Sequence, residues 1–97
     1  MKTYKLSNRA VKDFISISQY SRITFGESQT KAYLTGLNEI LLQLSENPQL
    51  GQNVPDIRPH YRRYLFQKHA IYFYEIDSGI QIVRVLHQQM KISLHIG

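Results

Sequence analysis

Four residues of this 97-residue chain have the types that metal-free phosphodiester chemistry asks for: Arg62, Arg63, Arg84 and His87. Cleaving RNA through its own 2′-hydroxyl needs a general base, a general acid and cations on the charge that develops at phosphorus. The arginines could supply the cations. His87 could be the acid or the base, because small changes of environment move an imidazole across neutral pH. Each residue also has a simpler reading. A histidine at a strand end often hydrogen-bonds to backbone, and arginines solvate the edge of a sheet.

The surroundings of these residues are basic and aromatic. From Ile57 to Tyr74 there is no acidic residue, while Arg58, Arg62, Arg63 and Lys68 alternate with Tyr61, Tyr64, Tyr72 and Tyr74. Cations among aromatics on a sheet suit RNA or single-stranded DNA, through phosphate neutralisation and base stacking. Tyrosine is enriched in strands in any case. The formal net charge of +5 favours an anionic partner, either nucleic acid or an acidic protein segment. The chain has no cysteine, which excludes a disulfide scaffold, a thiol nucleophile and cysteine zinc sites, and fits a cytoplasmic protein. His60, His69 and His95 have no ligand spacing, and Glu75 and Asp77 read as turn residues, so no metal site is expected. Without a glycine-rich phosphate loop, no cofactor is expected either.

These residues must be positioned by a small set of elements. Arg84 and His87 lie in Ile80–His87, a run whose Ile, Val and Leu residues predict an interior strand covered on both faces. Simple alternation puts Ile80, Ile82 and Leu86 on one face and Val83 and Val85 on the other. A cation within such a strand must find a partner or reach solvent. At the front of the chain, Lys2 to Leu6 reads as a short strand, with Ser7 or Asn8 as a helix N-cap. Val11, Phe14 and Ile15 mark a helix from Arg9 to Phe25, which Gly26 ends. A second helix carries the stripe Tyr33, Leu37, Ile40, Leu41 and Leu44, widened by Leu34 and Leu42, and stops at Asn47-Pro48. Gln49 to Pro59 is a loop. Tyr61–Phe66, His69–Ile76 and Ile80–His87 are then strands, joined through Gln67-Lys68 and Asp77-Ser78-Gly79.

The fold class is α+β in one domain, residues 1–97. It comprises an N-terminal strand, an antiparallel helix hairpin and a three-stranded antiparallel meander that the hairpin covers. No apolar run approaches the ~20 residues of a membrane span, and the N-terminus has no apolar signal core. The second helix has more apolar surface than a small sheet can cover. Tyr33, Leu34, Leu41 and Leu42 are therefore candidate partner-binding residues. Met90 and Lys91, beyond the last strand, lie where a tail could reach a target.

Several segments in order carry a family resemblance: Ala10 to Tyr20, Phe25-Gly26, Ala32-Tyr33-Leu34 through Leu44, Asn47-Pro48 with Gly51, His69 to Ile76, and Ile82 to Gln88 with Met90. With these the chain resembles the ParE toxins of the RelE/ParE superfamily, the toxic halves of bacterial type II toxin–antitoxin pairs. The resemblance implies a cytoplasmic toxin that poisons DNA gyrase by binding it, with no catalytic residues, and that a cognate antitoxin neutralises. Arg84, His87, Met90 and Lys91 are then the target-binding residues, and Tyr33, Leu34, Leu41 and Leu42 the antitoxin-binding ones. Gln89 and Lys91 stand where many ParE-like tails have Arg and Asp. The RelE branch implies instead a ribosome-dependent mRNA endonuclease, with Arg62, Arg63, Arg84 and His87 as its catalytic set.

Overall fold

The computed structural model describes residues 1–88. Its elements are β1 (Thr3–Leu6), α1 (Asn8–Phe25), α2 (Glu27–Glu46), a 3₁₀ turn (Pro48–Leu50), β2 (Gln52–Asn53), β3 (Arg62–Phe66), β4 (His69–Ile76) and β5 (Gly79–His87). One sheet runs in the order β1-β5-β4-β3-β2. The meander β3-β4-β5 is antiparallel as expected, but β1 joins β5 in parallel, so the sheet is mixed. The two-residue strand β2, in a stretch that reads as loop, pairs with the start of β3.

Ser7 is the residue that caps α1. Its hydroxyl accepts from the Ala10 amide at 3.0 Å and donates to the Val83 carbonyl at 2.7 Å, tying the helix start to β5. Gly26 joins the helices with φ 88°, a backbone conformation that side chains disfavour. Across it, the Ser21 and Thr30 hydroxyls lie 2.7 Å apart in a buried hydrogen bond. Gly79 is demanded more strictly, because a Cβ there would sit 1.7 Å from the Thr3 carbonyl oxygen.

The core lies between the hairpin and one face of the sheet. Ala10, Leu37, Leu41 and Leu44 pack on Ile71, Phe73, Ile80, Ile82 and Val85, with Phe14, Ile17, Tyr33 and Ile40 partly buried around them. On α1 the inward residues are Ala10, Phe14, Ile17 and Ser21, spaced four, three and four. Val11 and Ile15, whose spacing helps to mark the helix, are turned outward and exposed.

The faces of β5 also differ from simple alternation. Tyr72 pairs with Arg84 but Phe73 pairs with Ile82, so Val83 is an extra residue, a β-bulge. The bulge moves Val85 to the helix side with Ile80 and Ile82, and leaves Leu86 on the outer side with Val83, Ala70, Tyr72 and Ile57. It occurs where β1 stops. Beyond Leu6 the open edge of β5 is met by Ser7, whose amide donates to the Ile82 carbonyl, and by Asp13, which accepts from the Val85 amide.

Candidate functional site

A groove of about 570 Å³ opens between α1, the Gly26 junction and the near ends of β4 and β5. Ile17, Tyr20, Phe25 and Tyr33 form its apolar wall, and Arg84, His69 and His87 its polar floor. Lys68 stands at the rim, its ammonium 6.0 Å from the Phe25 ring centroid.

The floor begins with an ion pair. Arg84 Nε and Nη2 donate to the two carboxylate oxygens of Asp13 at 2.8 and 2.9 Å, and both side chains are largely buried. Asp13 also accepts from the Val85 amide at 3.0 Å, so one carboxylate holds both the cation and the edge of β5. The hydrogen bond to Asp13 raises the Arg84 pKa above its ordinary value, and burial opposes this. The sequence demanded such an arrangement, since an arginine inside an apolar strand needs a partner. The partner itself, Asp13, was not singled out in the sequence; the signal that points to it is a lone carboxylate beside the inward spacing of α1.

Next comes an imidazole pair. Tyr33 Oη lies 2.5 Å from His69 Nδ1, and the His69 and His87 rings meet edge to face at 5.7 Å. Burial pushes the Tyr33 hydroxyl up to about 12, so Tyr33 keeps its proton. Burial, reinforced by His87, lowers the His69 pKa, while Asp13 pulls it the other way. With Tyr33 protonated and His69 neutral, the Oη–Nδ1 contact is a single hydrogen bond whose donor is set by the His69 tautomer. Gln88 closes this end: its amide N–H donates to the Lys68 carbonyl at 2.9 Å and its side chain to the Gln67 carbonyl at 2.5 Å.

The four candidate nuclease residues do not converge. Arg62 faces the helix side and donates to the Gly51 carbonyl at 2.8 Å. Arg63 faces outward opposite Tyr72 and donates to Gln52 at 3.1 Å. Arg84 is held by Asp13, and only it and His87 reach the groove. Of the candidate target-binding residues, Met90 and Lys91 lie outside the described residues. The candidate antitoxin set also divides. Tyr33 lines the groove and Leu42 is exposed, but Leu41 is fully buried in the core. Leu34 is half-buried on another side of α2, beside Thr30 and Lys31. Leu41 must be withdrawn as a contact residue, because the helix stripe that carries it is the one the sheet covers. The large exposed apolar residues cluster instead on α1: Val11, Ile15, Tyr20, Ile23 and Phe25.

Among the described residues, no three histidine, aspartate or glutamate side chains come together as metal ligands, and no helix is long and apolar enough to cross a membrane.

Comparisons with known proteins place this architecture. The chain is 36% identical over 97 residues to Toxin ParE1 of Caulobacter vibrioides, covering all of both chains. It is 31% identical over 90 residues to Toxin ParE1 of Mycobacterium tuberculosis, covering 92% of each. A solved structure described as a chromosomal ParDE TA system from P. aeruginosa shares the fold, with a TM-score of 0.74 at 19% identity over 90% of this chain and 96% of that one. Residues 4–92 match the model of the family described as ParE toxin of type II toxin-antitoxin system, parDE. This chain belongs to that ParE toxin family.

Proposed function

We propose that this protein acts in the cytoplasm as the toxin of a type II pair, poisoning DNA gyrase by direct binding until a cognate antitoxin neutralises it. Family membership supplies the prior. The observation that carries the choice of mechanism is the dispersal of the cations. Arg62, Arg63 and Arg84 point to three different places, each with its own partner. No phosphorane could be contacted by all three. What remains is an apolar α1 surface beside a groove with a polar floor, the kind of surface a protein partner covers. We place the antitoxin on that groove and the adjoining face of α1, with Tyr33 as its contact from α2.

Ribosome-dependent mRNA cleavage is the second reading, and one feature favours it: the His69–His87 pair beside Tyr33 could exchange protons.

The test uses purified full-length protein with gyrase, relaxed plasmid and ATP, and in parallel with translating ribosomes. Loss of supercoiling or trapped cleaved DNA, with mRNA intact, is expected. Site-specific mRNA cuts with gyrase unaffected would reverse the assignment. Adding the antitoxin should restore gyrase and raise the melting temperature by mass action.

A further inference from the structure

We infer that the outer face of the sheet, opposite the helix hairpin, binds single-stranded nucleic acid. The platform is built by the loop of residues 54–61, folded back on the sheet. Its own backbone bonds hold it: Val54 N–H to Tyr61 O at 3.0 Å, Ile57 N–H to Val54 O at 3.1 Å and Tyr61 N–H to Arg58 O at 3.2 Å. Ile57 fastens it to Ala70, Tyr72 and Leu86. His60 has φ 70°, a left-handed conformation in which a non-glycine residue is uncommon and which the loop imposes.

This folding places Tyr61 against Tyr74, with ring centroids 5.7 Å apart and planes 12° from parallel. Arg58 and His60, in the same loop as Tyr61, are exposed. Arg63, opposite Tyr72 on the same face, keeps a buried Nε without a partner among the described residues. None of the residues that β3, β4 and β5 turn outward is acidic, and Asp56 is the loop's one carboxylate.

Stacked aromatics flanked by cations fit a strand of nucleotides, because every base has a face to stack and every phosphate a charge to neutralise. An acidic protein segment fits less well. A protein anchor needs a pocket to bury it, and the large groove lies on the other side of the sheet. This inference does not depend on the gyrase reading, and its test contains no gyrase, so either can fail without the other.

The experiment is fluorescence anisotropy of a labelled DNA strand of about a dozen nucleotides, within the span of known single-strand sites, titrated with the full-length chain. Binding is expected with Kd on the order of 10 µM near 0.1 M salt, and a log–log salt slope of about −2 for three phosphates. Tyr61→Ala should weaken it roughly tenfold, the loss of one base stack, while Tyr61→Phe keeps it. Arg58→Gln should flatten the salt slope by about 0.7, and Asp56→Asn should tighten binding. Gln43→Ala, exposed on α2 on the other side of the sheet, should leave single-strand binding unchanged. Circular dichroism melts establish that each variant is folded; should Tyr61→Ala unfold, exposed Arg58→Gln and His60→Asn carry the test. Absence of saturable binding, equal affinity for a blunt duplex, tighter capture of polyglutamate, or indifference to these substitutions would overturn the inference.

Discussion

On the helix side of the sheet, Ile71, Phe73, Ile80, Ile82 and Val85 are at most 2% exposed beneath two long helices, and a buried ion pair closes the open edge of β5. On the outer side, Ala70, Tyr72 and Leu86 are roofed mainly by Ile57 and Val83, which are themselves half-buried. The two faces belong to the same strands, so their difference comes from the cover. The hairpin supplies the stability. A short loop is enough to keep the outer face dry, and it leaves tyrosines and cations at the surface. Substitutions should therefore separate by face.

The largest effect is expected where the helix side is locked. Asp13→Ala removes the carboxylate that holds both the Arg84 guanidinium and the Val85 amide. For this largely buried pair the cost should approach that of breaking a buried one, about 3–5 kcal/mol. By the same rule Arg84→Ala leaves the Asp13 carboxylate without its cation, and it should lower stability as well as activity. Replacing both partners, as Asp13→Leu with Arg84→Met, should recover most of the loss. Urea denaturation measures each, and a cost below about 1 kcal/mol for Asp13→Ala would mean the pair is solvated after all.

A sharper comparison uses neighbours in β5. Ile82→Ala opens a cavity under the hairpin and should cost about 2–5 kcal/mol. Val83→Ala, one residue away on the thinly covered face, should cost about 1 kcal/mol. Similar costs for the two would show that the loop cover carries as much of the fold as the helices do.

The smallest expected effect concerns pH. The folded pKa of His69 lies below its ordinary 6.5, so the unfolded chain binds the proton more readily. Its contribution to stability is complete above pH 6.5 and is lost as pH falls toward the lowered value. Thermal melts at pH 7.5 and 5.5 should differ in the wild type and differ less in His69→Gln. An unchanged difference would assign the pH dependence to other groups.

Much of this was readable from residue patterns alone, because the patterns were local. The stripe of α2, the stops at Gly26 and Asn47-Pro48 and the turns of the meander each follow from a few neighbouring residues. The misreadings came from distant partners. The bulge at Val83 falls just past Ile82, where the distant strand β1 stops pairing, and it reverses the faces of Val85 and Leu86. Leu41 looked like surplus apolar surface because nothing near it shows how far the sheet extends. Two helical registers of α1 carry apolar residues, so the spacing that marks the helix does not say which face is buried, and the structure buries the one through Ala10, Phe14 and Ile17. The groove was missed for the same reason. Asp13, Phe25, His69 and His87 meet only after the hairpin folds over the sheet.

The parallel pairing of β1 with β5 also sets an order of events during synthesis. Thr3–Leu6 is made well before its partner Gly79–Ile82. Closing so long a loop is entropically costly and slows folding. Until β5 emerges, Ser7 has no Val83 carbonyl to bind, Asp13 has no arginine, and His69 has no facing imidazole. The hairpin can form early, but its groove has no floor. The groove is thus completed only once β5 has been made, and a chain interrupted before Gly79 should lack its floor.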